Sequence, residues 1–121
     1  MVTLNPDGSP QVSCIWIGLD GDEIVSGHLP RNQKVRNVER EPRVAMSIEG
    51  AGVNEAGLRE YLVIRGTARI QEGGAAELLQ RLAHVYLGPD VKFPLAATRP
   101  AHFERGRSPS GYVARPLVAA I

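Results

Sequence analysis

The chain lacks the features that mark several specialised classes of protein. It contains a single cysteine, Cys14, so an intrachain disulfide is impossible, and its place in an apolar strand-like run predicts a small buried hydrophobe. No apolar run approaches the ~20 residues of a membrane-spanning helix, and no signal peptide precedes the first predicted turn. We therefore expect a cytoplasmic protein with no membrane partner.

The chain also lacks an excess of charge of one sign, since its formal net charge is +1. A general nucleic-acid binder needs a sizeable basic excess to neutralise phosphates, so no nucleic-acid partner is expected. The three histidines (His28, His84 and His102) are far apart in the sequence and the cysteine has no partner, which predicts no metal site. His84 falls inside a predicted helix and is expected to be a surface or packing residue.

Motifs for self-sufficient catalysis are absent as well. There is no Gly-x-Ser-x-Gly elbow, no Walker A loop and no Gly-x-Gly-x-x-Gly after a strand. Closely spaced carboxylates occur only in the turn at 20–23, where they are typical of a solvated hairpin. No catalytic residue is identified, so an enzyme built on this chain would need a cofactor to carry the reaction.

Alternating apolar and polar residues predict a mainly β fold with two inserted helices. Six strands are expected near residues 2–4, 11–17, 23–28, 43–48, 61–71 and 111–114, with helices at 33–40 and 74–87. Gly66 interrupts the apolar face of the fifth strand and suggests a bend or bulge there. Strands joined mostly by hairpins in one 1–121 domain favour a small antiparallel barrel, because closure removes exposed strand edges.

Two features of the sequence are not explained by a simple barrel. Residues 91–109 have no periodicity and carry several cations, so they are predicted to form a long loop of unassigned role. The apolar tail at 117–121 and the doubly apolar first hairpin exceed what one small barrel can cover. A homodimer would bury the remainder.

The most informative stretch is residues 28–43, HLPRNQKVRNVEREPR, which carries five cations. Asn32 is a good N-cap for a helix over 33–40, and Lys34, with Arg31 beside it, would lie near the positive end of that helix dipole. Cations there are mildly destabilising unless an anion such as a phosphate binds. The alternative is the solvated face of a helix, to which Arg40 and Arg43 belong.

The order of these segments resembles the pyridoxamine 5′-phosphate oxidase-like family, and more narrowly its branch of flavin- and deazaflavin-dependent oxidoreductases. Three motifs over roughly residues 3–88 carry the resemblance. They are Asp7-Gly8-Ser9-Pro10, then Lys34-x-Arg36-Asn37-Val38 followed by Glu41-Pro42-Arg43-Val44, and finally Ile64-Arg65-Gly66-Thr67-Ala68. Relatives usually have an additional N-terminal helix and a longer C-terminal end than this chain.

The resemblance implies a six-stranded split β-barrel of the FMN-binding type, and a homodimer with cofactor sites at the subunit interface. Lys34 corresponds to the phosphate-binding lysine of the family, and Arg36 and Asn37 fall in the same motif. Arg31 and Asn32 lie at or beside positions that reach the phosphate. The strand end formed by Val25, Ser26, Gly27 and His28 would border the ring system.

The resemblance implies hydride transfer from reduced deazaflavin F420 to a small conjugated or heteroaromatic substrate. Arg31, Arg36 and the loop cations favour F420 slightly, because that coenzyme has an extended acidic tail. An FMN-dependent oxidase or reductase of the same fold is the closest alternative. A non-catalytic cofactor carrier or haem-binding protein, and a dimeric interaction module, remain further alternatives.

Overall fold

The computed structural model describes residues 1–93 and the backbone of the strand at 110–118. This part of the chain forms seven strands and two helices. In chain order they are β1 (Val2–Leu4), β2 (Pro10–Val12), β3 (Gly18–Asp20), β4 (Glu23–His28), α1 (Gln33–Arg40), β5 (Arg43–Val53), β6 (Arg59–Glu72), α2 (Ala75–Tyr86) and β7 (Ser110–Val118). Neither helix has the length and apolar character needed to cross a membrane.

The seven strands form one antiparallel sheet with the order β2-β1-β5-β6-β7-β4-β3. The two outermost strands, β2 and β3, follow each other in the chain, from Val12 to Gly18. That connection can span at most ~20 Å, whereas seven strands laid flat at ~4.8 Å spacing would separate the edges by ~29 Å. The sheet must therefore curl and bring its two edges towards each other.

The strand count differs from the prediction of six because the expected strand at 11–17 is broken. Side chains, rather than a neighbouring strand, bind the backbone at the end of this segment. The Ser26 hydroxyl donates to the Trp16 carbonyl at 2.7 Å. The Tyr86 hydroxyl accepts from the Ile17 N–H at 3.2 Å and donates to the Ile17 carbonyl at 3.1 Å. Local side-chain bonds of this kind compete with strand pairing.

The β5–β6 hairpin is longer than the alternation of residues predicts. Within the turn-rich residues 49–58, residues 49–53 belong to β5. The turn itself is closed by Asn54, whose side chain accepts from the N–H groups of Ala56 and Leu58 at 3.0 Å. Pairing runs without interruption through Gly66, and the irregularity lies between Glu49 and Val53 instead. The bend expected at Gly66 is therefore wrong in position.

The core lies between the curled sheet and α1. Its buried members come from β4, β5, β6 and one face of the helix: Ile24, Val35, Val38, Val44, Met46, Ile64 and Ala68. The predicted bounds of α1 are confirmed, and the Asn32 side chain caps it by accepting from the Val35 N–H.

Helix α2 packs on β4, which β7 separates from β6 in the sheet order. Its buried residues are Ala75, Leu79, Leu82 and Ala83, so the expected stripe of Leu78, Leu82 and Tyr86 is correct only at Leu82. Gly27 of β4 permits the close approach, because a Cβ there would lie 2.8 Å from Leu79 Cγ and 3.0 Å from the Ala75 carbonyl oxygen. The predicted loop at 91–109 and the end of the apolar tail lie mostly outside the described residues.

Candidate functional site

An open cleft of about 380 Å³ lies where the end of β4, the 13–17 segment and both helices meet. This volume falls within the ~300–1,000 Å³ of small-molecule sites. Its walls are mainly apolar and carry few polar side chains. The lining residues are Cys14, Ile15, Trp16, Gly27, His28, Leu29, Pro30, Lys34, Leu79 and Phe93.

Aromatic rings form one wall of the cleft. Trp16 stacks on Tyr86 of α2 with ring centroids 5.5 Å apart and an interplanar angle of 5°. Phe93 meets Trp16 edge-on, with a centroid distance of 5.3 Å and an angle of 61°. Both arrangements are favourable for aromatic quadrupoles. The wall presents a rigid apolar surface that suits a planar ligand.

Lys34 supplies the positive charge of the cleft. It lies in the first turn of α1, half-buried, and its ammonium contacts the Ser13 hydroxyl at 3.5 Å. Burial lowers the pKa of Lys34 from its usual value. In residues 1–93 no carboxylate pairs with it, since the ion pairs there involve Arg31, Arg43, Arg59 and Arg69. A half-buried cation at a helix N-terminus is a suitable partner for an anion.

His28 lines the cleft as a neutral ring. The Ser26 hydroxyl has one proton and donates it to the Trp16 carbonyl, so the 3.2 Å contact with His28 Nε2 is an Nε2–H donor bond. The other ring nitrogen, Nδ1, is then unprotonated. Burial, followed by the charge of Lys34, lowers the pKa of His28 to about 4. At neutral pH the cleft therefore pairs one cation with an uncharged imidazole.

The other predicted residues at the end of β4 differ in whether they line the cleft. Gly27 lines the cleft, whereas Val25 and Ser26 are buried in β4 and are not part of its lining. Ser26 orients both the imidazole of His28 and the backbone at Trp16. Asn32 is used as the cap of α1.

Arg31 and Arg36 do not line the cleft. Arg31 pairs with Glu39, and Arg36 is exposed and donates to the Arg31 carbonyl at 3.3 Å and to Gln33 at 2.9 Å. Both arginines remain at the solvent surface near the start of α1. Of the nine predicted positions, Gly27, His28 and Lys34 line the cleft.

Asn37 is fully buried and has three partners. Its side-chain nitrogen donates to Thr3 Oγ1 at 3.1 Å and to Asn5 Oδ1 at 2.9 Å, and its oxygen accepts from Gln33 Nε2 at 2.8 Å. The amide therefore joins α1 to the first hairpin. Its side chain does not line the cleft.

Sequence reasoning missed most of the apolar lining. Ile15 and Trp16 were assigned to a strand, although the presence of only one tryptophan in the chain was a usable signal. Cys14 was expected to be buried, and this is wrong: it is exposed and lines the cleft, because the segment leaves the sheet after β2. Leu29, Pro30, Leu79 and Phe93 carried no signal, since tertiary packing alone brings them together.

Comparisons with known proteins show the family of the chain and a structure of similar fold. A protein-family model described as pyridoxamine 5′-phosphate oxidase matches residues 1–105. A solved structure of an F420 reductase is 28 % identical to the chain with a TM-score of 0.69, and the match covers 95 % of this chain and 82 % of the other. No curated protein matches the chain. Within the described residues there is no cluster of side chains that could hold a metal ion.

Proposed function

This chain belongs to the pyridoxamine 5′-phosphate oxidase family, and we propose that it is an oxidoreductase that uses the deazaflavin coenzyme F420. The proposed reaction is hydride transfer from the reduced coenzyme to a small conjugated or heteroaromatic substrate. The observation that carries the proposal is Lys34, a half-buried ammonium in an apolar cleft without a carboxylate partner in residues 1–93.

The residues of the cleft fit a ligand with a planar ring and a phosphate. Lys34 and the N-terminal end of α1 would hold the phosphate, and the walls at Trp16 and Leu29 would bind the ring and exclude water. His28 would meet the ligand as a neutral group and bring no second cation. When bound, the coenzyme supplies the hydride chemistry, and the protein contributes mainly binding and orientation.

Two observations favour F420 over FMN. The solved relative with a TM-score of 0.69 is an F420 reductase. Arg31 and Arg36 stand exposed near the start of α1, where an extended acidic tail would pass after a phosphate held at Lys34. FMN lacks this tail and is the alternative cofactor, since it has a similar planar ring and also carries a phosphate.

We also propose that the curled sheet is a split barrel and that the protein is a homodimer with its cofactor sites at the interface. The connection at 13–17 spans the open side between β2 and β3. Val53, Leu58 and Tyr61 are all more than half exposed around the β5–β6 turn, and a second copy could cover them. Analytical ultracentrifugation tests the dimer, and a monomer at micromolar concentration would contradict it.

A titration with F420 and with FMN, followed by ring fluorescence, tests the cofactor. Lys34→Ala is expected to weaken binding by about 1.5–3 kcal/mol, or roughly 10- to 150-fold in Kd, the scale of a hydrogen bond to a charged group. Arg43→Ala is the matched control, because it removes one cation from an exposed ion pair outside the cleft.

Each alternative gives a different result in this experiment. If neither coenzyme binds, the redox proposal is wrong. Binding that is equally strong in wild type and Lys34→Ala would refute the phosphate assignment. If coenzyme binds but no electron acceptor ever oxidises its reduced form, the protein is a carrier and not an oxidoreductase.

A further inference from the structure

Gln80 of α2 does not line the cleft, but it is hydrogen-bonded to the backbone of residues 91–93. Phe93 in this segment forms part of the cleft wall. Its Oε1 accepts from the backbone N–H of Phe93 at 2.8 Å, and its Nε2 donates to the Val91 carbonyl at 2.7 Å. The side-chain amide therefore binds the backbone on both sides of Lys92, much as a neighbouring strand would. Through these two bonds α2 holds Phe93 at the cleft.

The orientation of this amide is determined by its partners. A backbone N–H can only donate and a carbonyl can only accept, so Gln80 Oε1 must face Phe93 and Nε2 must face Val91. The second Nε2 proton is directed to His84 Nε2, 2.8 Å away, which must then be the acceptor nitrogen. All three polar contacts of Gln80 are thus satisfied in one orientation and would be mismatched in the other.

Phe93 transmits this constraint to the cleft. Its ring meets Trp16 edge-on at 5.3 Å, and Trp16 also stacks on Tyr86. Tyr86 and Gln80 both belong to α2. One helix therefore positions both rings that contact Trp16: Tyr86 is one of its own side chains, and Phe93 is held through the Gln80 amide.

We propose that Gln80 is a positioning residue that sets the aromatic wall of the cleft and thereby its selectivity for planar ring ligands. This inference rests on the proposed function for the identity of the ligand, F420 or FMN. The geometry of the wall does not depend on it, so the two can be tested separately.

Gln80→Glu is the main variant, because it keeps the size of the side chain but places a carboxylate oxygen against the Val91 carbonyl. Gln71→Glu is the matched control, since it makes the same change at an exposed position of β6. Trp16 is the only tryptophan, so intrinsic fluorescence reports the wall directly in the ligand-free protein. We expect acrylamide quenching of Trp16 to increase in Gln80→Glu and to stay at the wild-type value in Gln71→Glu.

Coenzyme affinity provides a second measurement, after Trp16 quenching. Kd for F420 or FMN should rise roughly 5- to 10-fold in Gln80→Glu, which is the size of effect expected from losing one hydrogen bond that positions the wall. Gln71→Glu should leave Kd unchanged. Phe93→Ala removes the wall itself and should reproduce both effects. Adding Gln80→Glu to Phe93→Ala should then change neither Trp16 quenching nor Kd further.

Unchanged Trp16 quenching in a folded Gln80→Glu variant would overturn the inference, as would a lower melting temperature with no change in quenching or Kd. If Gln80→Glu does not fold, Phe93→Ala decides, and wild-type quenching in that variant overturns the inference. If wild type binds neither coenzyme, the proposed function fails, and the ligand-free quenching still decides the role of Gln80.

Discussion

The neutral state of His28 has a measurable effect on stability below pH 6.5. The pKa of this imidazole is lowered to about 4 in the folded protein, first by burial and then by Lys34, whereas an unperturbed histidine has a pKa near 6.5. Between these two values the unfolded chain binds a proton that the native protein does not. Stability from this residue is therefore fully present above about pH 6.5 and is lost as the pH falls towards 4.

The magnitude follows from the two pKa values. At pH 5 the difference in proton binding costs at most about 2 kcal/mol, and about 1 kcal/mol once solvent screening at a half-buried ring is taken into account. This is a large share of the stability of a small domain.

Urea unfolding at pH 7 and pH 5 measures this cost, with His28→Gln as the reference. Glutamine does not titrate but keeps a side-chain N–H that can donate to Ser26, so other titrating groups cancel in the comparison. Wild type should lose about 1 kcal/mol more than His28→Gln between the two pH values. A ring proton signal of His28 that titrates near pH 6.5 by NMR, with no difference between the two unfolding profiles, would refute the reasoning.

Two further changes separate structural from ligand-binding roles. Asn37→Ala removes the bonds of a fully buried amide to Thr3 and Asn5 and should cost about 2–3 kcal/mol in urea unfolding without changing coenzyme affinity. Weakened binding in a stable variant would instead return Asn37 to the phosphate site. Gly27→Ala should lower the free energy of unfolding by about 1–3 kcal/mol, because the added Cβ would meet both Leu79 and the Ala75 carbonyl. Gly18→Ala should cost less in the same urea unfolding experiment, because its Cβ would meet one movable methyl group of Leu82 at 3.0 Å. Equal costs would contradict this account.

Local signals in the sequence predicted the parts of the fold that local chemistry determines. Asn32 and the Glu41-Pro42 pair marked both ends of α1, and Asp20-Gly21 marked a hairpin that the structure contains. The place of Lys34 in the first turn of α1 was predicted in the same way, whereas its phosphate-binding role came from the family resemblance and stays a prediction. Each of these predictions needed only neighbouring residues.

Features that depend on distant partners were not predictable in the same way. The break in the expected strand at 11–17 requires Ser26 and Tyr86, which are far away in the sequence. Asn37 falls in the motif that the resemblance assigns to phosphate binding, and its side-chain bonds to the first hairpin could not be predicted from that motif. The aromatic wall at Phe93 depends on Gln80, and nothing in the local sequence indicates that contact.

The place of β7 in the sheet has a consequence for the order in which the protein can assemble. In backbone pairing β7 alone joins β6 to β4 among the described strands, although it comes last of them in the chain. During synthesis the two parts of the sheet must wait for residues 110–118, which makes assembly non-local and slow. The cleft combines Lys34, on a helix that contacts β1 and β6, with His28 at the end of β4. The proposed coenzyme would therefore bind only after this late step, and would then stabilise the folded protein by mass action.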